Sequence, residues 1–257
     1  MPLQKRVKKW GFSREFRKPH TFRMISLSIQ KGQYFTILGP SGLGKSTLAK
    51  IILGVEKPTF GQVTFLGQNL YTTKSATMQQ LRRDLQVVFQ DSVSAVNPRM
   101  TAEKIIAEPL DNFEKLEKQA YIIELLHQVG LDKNDLTKYP GEFSGGQLQR
   151  INIARALALK PKLLVLDEPI SSLDVVNQLK IIELLKRLKK ELQLTFVFIT
   201  HDIKAAYLLS DQIAILENGR MVEQYEHVQQ FIASTNPVAL KLRKSVLAEH
   251  PRQRTIR

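Results

Sequence analysis

Residues 39–46 read Gly39-Pro40-Ser41-Gly42-Leu43-Gly44-Lys45-Ser46. The stretch follows the phosphate-loop spacing G-x-x-x-x-G-K-[ST]. The apolar run at 34–38 before it predicts a buried strand, and residues 47–53 after it predict a helix that ends at Gly54. This order of strand, glycine-rich turn and helix favours a phosphate-binding loop over a glycine-rich turn that carries a lysine by chance.

The residue types in this loop suit the binding of phosphate. Glycines let successive backbone N–H groups close around phosphate oxygens, because no Cβ blocks the approach. The N-terminus of the next helix adds partial positive charge. Lys45 would reach the terminal phosphates, and the hydroxyl of Ser46 would bind Mg²⁺. We therefore expect the eight residues of the loop, together with Thr47, to hold a nucleotide.

Composition limits the possible classes of protein. The 257 residues, of which 43% are hydrophobic and 24% charged, suit one large α/β domain or a domain with an inserted subdomain. The absence of cysteine excludes disulfides and cysteine-ligated metal sites. The basic N-terminal segment lacks the apolar core of a secretory signal, and no run of about 18 apolar residues occurs. These features predict a protein of the cytosolic compartment.

The net charge of +14 leaves two interpretations open. Many of the cations lie in the first 23 residues and in the last six. Such a surplus suits nucleic acid or an anionic membrane surface, but it is equally typical of a solvated basic surface with no dedicated partner. Charge alone therefore identifies no partner.

Apolar runs alternate with helical patterns along most of the chain. The runs at 34–38, 85–89, 163–166 and 195–199 predict buried strands, and a helix is predicted at 175–192. Residues 3–35 are β-rich, with partial alternation at 22–29. The mostly helical block at 91–160 contains predicted helices at 103–110, 116–129 and 148–159. We expect a parallel α/β sheet with an N-terminal β subdomain and an inserted helical subdomain.

Two acidic residues, Asp167 and Glu168, follow the strand predicted at 163–166. An acid at the carboxyl end of a buried parallel strand faces the ligand crevice of an open sheet. Asp167 is suited to hold Mg²⁺, and Glu168 to orient or deprotonate an attacking water. An acidic loop after a strand is common by itself, so this prediction depends on the phosphate loop.

A second phosphate-binding feature begins a helix at Ser144-Gly145-Gly146-Gln147. The serine can cap the helix, and the glycines leave backbone N–H groups open to an anion. One nucleotide does not need two such helix ends. The alternative is a capped helix that follows a flexible segment. The presence of a second phosphate-binding helix end nevertheless suggests that this one serves a nucleotide held by another subunit.

These motifs together resemble the ATP-binding subunits of ABC transporters over nearly the whole chain. The loop at 39–46 is similar to Walker A and the strand at 163–168 to Walker B, and residues 143–150 are similar to the ABC signature. Gln90 stands at the Q-loop position, residues 171–174 at the D-loop, and His201 at the switch histidine. The signature is the most specific of these elements, because other phosphate-loop proteins lack it.

The resemblance implies a fold, a mechanism and a set of site residues. The fold is that of a phosphate-loop NTPase of ABC type, spanning 1–257 as one domain with a helical subdomain at 91–160 and a short basic tail at 236–257. ATP and Mg²⁺ are the implied cofactors, with Gln90 and Asp167 completing the metal shell around Ser46. The implied catalytic residues are Lys45, Glu168 and His201.

Two ATP-binding subunits of such transporters pair head to tail, with each ATP between the Walker A loop of one and the signature of the other. Residues Ser144, Gly145, Gly146 and Gln147 would then face the partner's nucleotide. The family's adenine-stacking tyrosine has no clear match in this chain. Trp10 is the candidate for that role, with Phe12 second.

Within the family, residues 88–99 resemble the peptide/nickel importer branch. They read Val88-Phe89-Gln90-Asp91-Ser92-Val93-Ser94-Ala95-Val96-Asn97-Pro98-Arg99. The stretch 91–99 and the arginine-rich end resemble the second ATP-binding subunit of bacterial nickel importers. The implied partners are a sister ATPase subunit, two transmembrane permease subunits and a solute-binding protein. The implied location is peripheral, on the cytoplasmic face of the inner membrane.

Three alternatives remain beside nickel uptake. The first is a dipeptide or oligopeptide importer, because the nucleotide site carries no information about the transported solute. The second is a soluble ABC ATPase acting on nucleic acid, which the basic surplus permits. The compact block between Gln90 and Ser144 and the single Walker A loop argue against it, so no nucleic-acid partner is expected. The third, a small-molecule kinase, is disfavoured by the signature.

Overall fold

The computed structural model describes residues 12–13, 25–40, 42, 44–113 and 118–247. Its strands are β1 (Phe12–Ser13), β2 (Tyr34–Leu38), β3 (Gln62–Phe65), β4 (Gln68–Asn69), β5 (Leu85–Val88), β6 (Leu163–Asp167), β7 (Thr195–Thr200), β8 (Gln212–Glu217) and β9 (Arg220–Tyr225). Its helices are α1 (Lys45–Ile52), α2 (Ser75–Asp84), α3 (Ala102–Phe113), α4 (Gln119–Gln128), α5 (Gly145–Leu157), α6 (Val175–Leu192), α7 (Ile203–Leu209), α8 (Val228–Ala233) and α9 (Pro237–Leu247). Short 3₁₀ turns lie at Lys133–Asp135 and Pro140–Glu142.

A six-stranded sheet with the order β5-β6-β7-β2-β8-β9 forms the centre of the molecule. The strands from β5 to β8 in this order pair in parallel, and β9 returns antiparallel to β8 through a turn at Asn218 and Gly219. Every residue of β2, β6 and β7 is buried. Strands covered on both faces read as continuous apolar runs, which is why the sequence located them. The predicted parallel α/β sheet is confirmed.

The carboxyl ends of the parallel strands bring distant residues to one edge of this sheet. Leu38 of β2 is in register with Thr200 of β7, and Asp167 of β6 is in register with Ile199. The residues that follow these ends are therefore neighbours, although those after β2 are more than a hundred positions from those after β6 and β7 in sequence. This edge is where an open α/β sheet offers its ligand crevice.

Helices α3, α4 and α5 form the helical block between β5 and β6. Their apolar faces share one core with the sheet, and buried members of that core include Ile106, Leu126 and Ile151. The predicted helices at 103–110 and 116–129 are present with shifted ends. The helix predicted at 148–159 instead runs from Gly145 to Leu157, because the capped motif at its start is itself helical.

A three-stranded sheet with the order β1-β3-β4 makes the N-terminal antiparallel part. Phe12 pairs with Val63, and Thr64 pairs with Asn69. The alternation predicted at 22–29 appears as alternating burial from residue 25 onward, but residues 25–30 form no strand. The predicted alternation is therefore confirmed for residues 25–29, whereas the expected β-structure is absent from residues 25–30.

Helices α2, α7, α8 and α9 were not predicted from the sequence. Only Leu81 of α2 is buried, so that helix lacks the apolar stripe that marks most helices. Helix α9 occupies part of the expected basic tail, and its Ala239 packs into a small core with α8 and β9. The limits of a single domain at 1–257, a helical subdomain at 91–160 and a tail at 236–257 stay predictions. Within the described ranges, no helix combines the length and apolarity needed to cross a membrane.

Candidate active site

The glycine loop lies between β2 and α1 at the carboxyl edge of the sheet. The N–H of Gly39 donates to the carbonyl of Thr200 at 3.2 Å. A Cβ at Gly39 would lie 2.3 Å from the carbonyl oxygen of Leu216, so only glycine fits against this neighbouring strand. Gly44 caps α1 with a φ of 84°, a left-handed conformation that glycine adopts without strain. Ser41 and Leu43 of the motif lie outside the described residues.

Lys45 is folded into this loop and is 5% exposed. Its Nζ donates to the carbonyl oxygens of Gly39 and Pro40, each at 2.8 Å. The same Nζ lies 3.2 Å from Oε1 of Glu168. The predicted phosphate-binding lysine and the predicted water-handling acid are therefore in direct contact.

Glu168 lies immediately after β6 and is 5% exposed. Its backbone has a φ of +50°, and its N–H donates to Ile199 at 2.9 Å, which fixes the turn at the strand end. The carboxylate lies 2.9 Å from Nδ1 of His201, whose side chain is about half exposed. The histidine that follows β7 thus meets the acid that follows β6, as adjacent parallel strands require.

Asp167, beside Glu168, is buried and incompletely satisfied. Its Oδ1 has no hydrogen-bond partner among the described residues, and it is 4% exposed. Burial raises the pKa of its carboxyl, and a hydrogen bond from the side chain of Ser46 acts in the opposite direction. A buried oxygen without a partner calls for an explanation, and a bound cation supplies one.

The donor set around Asp167 fits Mg²⁺. This ion is usually held by one or two carboxylates together with the substrate's phosphate oxygens, rather than by a protein cage. The described residues contain no group of three or more His, Cys, Asp or Glu side chains that could hold a metal ion. Gln90 is exposed two residues after β5, and pairing of Val88 with Leu166 brings its backbone to the same sheet edge.

The second predicted feature, residues 144–147, forms the first turn of α5. The Oγ of Ser144 accepts from the N–H of Gln147 at 3.3 Å, and Oε1 of Gln147 accepts from the N–H of Ser144 at 2.9 Å. This reciprocal capping box fixes the start of the helix. Ser144 and Gly145 are exposed, whereas Gly146 is buried.

Gly146 is buried by Asn177 of α6, a contact that the sequence did not reveal. A Cβ at Gly146 would lie 2.8 Å from Oδ1 of Asn177. The Nδ2 of Asn177 donates to Oδ2 of Asp174 at 2.6 Å, and Asp174 also caps α6 through the N–H of Asn177. This glycine therefore permits close packing in addition to any role toward an anion. Aspartate favours the N-cap position, so Asp174 could have been recognised in the sequence as the start of α6. The packing of this helix start against the start of α5 could not.

The structure thus gathers Lys45, Ser46, Asp167, Glu168 and His201 into one cluster. The contacts given above for residues 144–147, with one another and with Asn177, do not involve members of this cluster. The predicted adenine contact at Trp10 lies outside the described residues.

Comparison with known proteins accounts for this combination of a phosphate-loop cluster and a separate glycine-rich helix start. The sequence model of the family described as ABC transporter matches residues 22–171. The chain belongs to the ABC transporter family. The nickel import ATP-binding protein NikE of Escherichia coli O157:H7 is 39% identical over 247 residues, covering 95% of this chain and 92% of that protein.

Two further relatives show how far the similarity extends. The oligopeptide transport ATP-binding protein OppF of Lactococcus lactis subsp. lactis (strain IL1403) is 44% identical over 203 residues, or 78% of this chain and 64% of that protein. A dimeric structure of the ATP-binding cassette MJ0796 bound to ADP and Pi superimposes with a TM-score of 0.72 at 30% identity, covering 84% of this chain and 97% of that one. The resemblance, the fold class and the ATPase activity predicted from the sequence are confirmed. The chain is the ATP-hydrolysing component of an ABC importer.

Proposed function

We propose that this chain powers the uptake of nickel. The observation that carries the proposal is the similarity to nickel import ATP-binding proteins over 95% of the chain. Uptake of oligopeptides is the second candidate, because the peptide-transport relative is more identical, at 44%, over a shorter span. Both candidates use the same nucleotide chemistry.

The cluster at the sheet edge suggests how the chain's own residues hydrolyse ATP. The loop backbone and Lys45 bind the phosphates, and Glu168 orients or deprotonates the water that attacks the γ-phosphate. His201 holds the carboxylate of Glu168 at 2.9 Å and, as the half-exposed member of the cluster, contacts the γ-phosphate. Because Glu168 is buried, a fixed carboxylate replaces bulk water next to the reacting atoms.

Mg²⁺ in this site would be held by Asp167, the hydroxyl of Ser46 and Gln90. When bound, the ion supplies positive charge that offsets the charge developing on the phosphate oxygens. The buried Oδ1 of Asp167 supports this assignment, because it has no partner among the described residues.

The exposed first turn of α5 completes the site of a second ATP-binding subunit in a head-to-tail pair. Ser144, Gly145 and Gln147 reach that subunit's nucleotide, with Gly146 lying beneath them. The exposed start of α5 supports this role, and so does the dimeric state of the MJ0796 cassette.

A groove beside Gln90 supports contact with the transmembrane permease subunits. The groove has a volume of about 520 Å³ and lies between β5, α3 and α5. Phe89 on its wall is 42% exposed, and nearby Val93 is 64% exposed. We place the chain at the cytoplasmic face of the inner membrane, held there by two permease subunits that receive nickel from a solute-binding protein.

The role of Glu168 is tested by Glu168→Gln. The amide still accepts hydrogen bonds from Lys45 and His201 but cannot take a proton, so ATP binding should persist. Turnover should fall by about 10²–10⁴-fold, the usual contribution of a general base. Phosphate release and nucleotide binding are measured on the same samples, with the exposed Glu191→Gln as control. Hydrolysis at the wild-type rate would contradict the assignment.

The transported solute is tested by deleting the gene and measuring uptake of radioactive nickel together with growth on dipeptides. Loss of nickel uptake alone would support the proposal. Unchanged nickel uptake with lost use of peptides would establish the second candidate instead.

A further inference from the structure

The segment that follows Gln90 is bound to the signature helix by two side chains of that helix. The Nδ2 of Asn152 donates to the carbonyl of Ser92 at 3.0 Å and to the carbonyl of Leu148 at 3.2 Å. One turn further along α5, the Arg155 guanidinium donates to the carbonyl of Ala95 at 2.8 Å. Both carbonyls belong to residues 91–96, which we call the bridging segment.

The contact at Asn152 is enclosed. Asn152 and Ser92 are each 6% exposed, so water cannot readily replace their hydrogen bond. A buried polar group that loses its partner is left unsatisfied, which favours keeping the two residues together when either one moves.

Arg155 extends the connection to a third element. Its guanidinium also lies 2.7 Å from Oε2 of Glu108 on α3. One side chain thereby joins the bridging segment to two helices of the helical block.

The bridging segment is itself compact. The Oδ1 of Asp91 accepts from the N–H groups of Val93 at 3.0 Å and Ser94 at 3.2 Å, and the N–H of Ala95 donates to the carbonyl of Asp91 at 3.2 Å. A turn closed by three internal hydrogen bonds is expected to move as one body. Two of its carbonyls are bound to α5, its residues Asp91, Ser94 and Ala95 line the proposed permease groove, and its Val93 is exposed.

We propose that Asn152 and Arg155 are positioning residues that make the bridging segment move together with the signature helix. This inference rests on the proposed function, in which the start of α5 engages ATP held by a partner subunit. Displacement of α5 by that ATP is passed through the Ser92 and Ala95 carbonyls to the surface beside the permease groove. Without the two side chains, α5 still engages ATP, but the bridging segment no longer follows it.

Two variants separate this linkage from simple loss of stability. In Asn152→Thr the hydroxyl can still bond to the carbonyl of Leu148 within the helix, but it is too short to reach Ser92 as well. Arg155→Met keeps an unbranched apolar stem and removes both polar contacts. Asn134→Thr is the matched control, an exposed asparagine in the same helical block.

The experiment measures amide hydrogen exchange in the importer complex isolated through this chain, in a Glu168→Gln background, with and without ATP. In the parent complex, ATP should slow exchange in peptides covering 144–151 and 92–97, the second of which excludes Gln90 and its direct contact with the bound ion. In Asn152→Thr and in Arg155→Met the response at 144–151 should persist, while the response at 92–97 falls by at least half. With Glu168 restored, solute-stimulated hydrolysis should fall while the KM for ATP stays unchanged.

Each remaining outcome opposes the inference. A full response at 92–97 in both variants would show that the segment follows α5 without these side chains. No ATP response at 144–151 in the parent complex would contradict the proposed function itself and the inference with it. If Asn152→Thr fails to fold, the same two exchange responses in Arg155→Met test the inference. The side chain of Arg155 is partly exposed, so its replacement should leave the fold intact.

Discussion

The phosphate-loop cluster and the start of the signature helix both face phosphate in our proposal, but they are built differently. In the cluster, Lys45, Asp167 and Glu168 are each at most 5% exposed, and Lys45 bonds to loop carbonyls and to Glu168. At the helix start, Ser144 and Gly145 are exposed, and their polar partners come from the same turn.

This difference indicates which half of the ATP site the chain completes alone. Buried charges are stable only when they are paired, so the cluster is an integral part of the sheet edge. An exposed capped turn is stable without a ligand and is free to meet another molecule. Changes in the cluster should therefore act on ATP binding, on the hydrolytic step itself or on stability of the chain, whereas changes at the helix start should act on turnover only through the pair.

The largest effect on ATP binding is expected for Gly39→Ala in the loop. The new Cβ would lie 2.3 Å from the backbone oxygen of Leu216, which cannot rotate away. Forcing an extra methyl group into such a site costs about 1–3 kcal/mol. If that cost falls on the binding conformation, ATP affinity drops roughly ten- to hundredfold. Binding is measured by titration with a fluorescent ATP analogue.

Gly42→Ala is the matched control for this prediction. Gly42 has a φ of +80°, but no described residue lies within 4 Å of an added Cβ, so the protein itself opposes the change only through backbone strain. Strain of this kind costs about 1 kcal/mol, the lower end of the range for unfavourable backbone conformations. Equal losses of affinity in the two variants would show that close approach to Leu216 is not what holds the loop.

A smaller effect on binding, but a large one on turnover, is expected for Ser144→Arg. A bulky cation at the exposed helix start should block approach of the partner subunit, while the phosphate loop stays intact. ATP affinity of the isolated chain should be unchanged, and hydrolysis should fall at least tenfold. Loss of the N-cap costs about 1 kcal/mol of stability, which a thermal melt detects.

Protein concentration distinguishes this mechanism from local damage. Wild-type activity should be weak at low concentration and rise more than proportionally as chains pair, because the two halves of the site come from different chains. Thr137→Arg, at an exposed position of the same helical block, should behave as wild type. Activity strictly proportional to concentration in the wild type would contradict the paired site.

Most of the cluster could be predicted from the sequence, because its members stand directly after strands that the apolar runs reveal. Buried parallel strands appear as apolar runs, and the residue after each run lies at the shared carboxyl edge. That rule placed Asp167 and Glu168 beside the loop at Gly39, whereas His201 was identified through the family resemblance. The capping box at Ser144 was equally local, since its two partners are three residues apart.

Contacts between distant helices were not predictable in the same way. Asn177 over Gly146 and Asn152 beneath Ser92 depend on how α5 packs against α6 and against the bridging segment. A single sequence contains no periodicity that pairs such positions. Helix α2 was missed for a related reason, because a helix with only Leu81 buried shows no apolar stripe.

The smallest expected effect concerns stability, and it tests whether the cluster is complete without a cation. Burial raises the pKa of Asp167, so the ionised carboxylate destabilises the fold at neutral pH. Without Mg²⁺ and nucleotide, Asp167→Asn removes this buried charge and should raise the free energy of unfolding by about 1.4 kcal/mol for each unit by which burial raises the pKa. That corresponds to roughly 2–4 °C in Tm for each kcal/mol.

The sign of the pH dependence makes this prediction specific. As pH falls through the raised pKa of Asp167, the native carboxyl takes up a proton and its penalty disappears, so the advantage of Asp167→Asn should shrink.

Asp135 is the opposite case. Burial would raise its pKa, but the ammonium of Lys138 at 2.6 Å and the N–H of Asp132 hold it below the usual value. Asp135→Asn should therefore lower Tm at neutral pH, with the loss fading as pH falls through that lowered pKa. A lower Tm for both variants would mean that Asp167 is already satisfied within the chain, and the cluster would then need no cation to complete it.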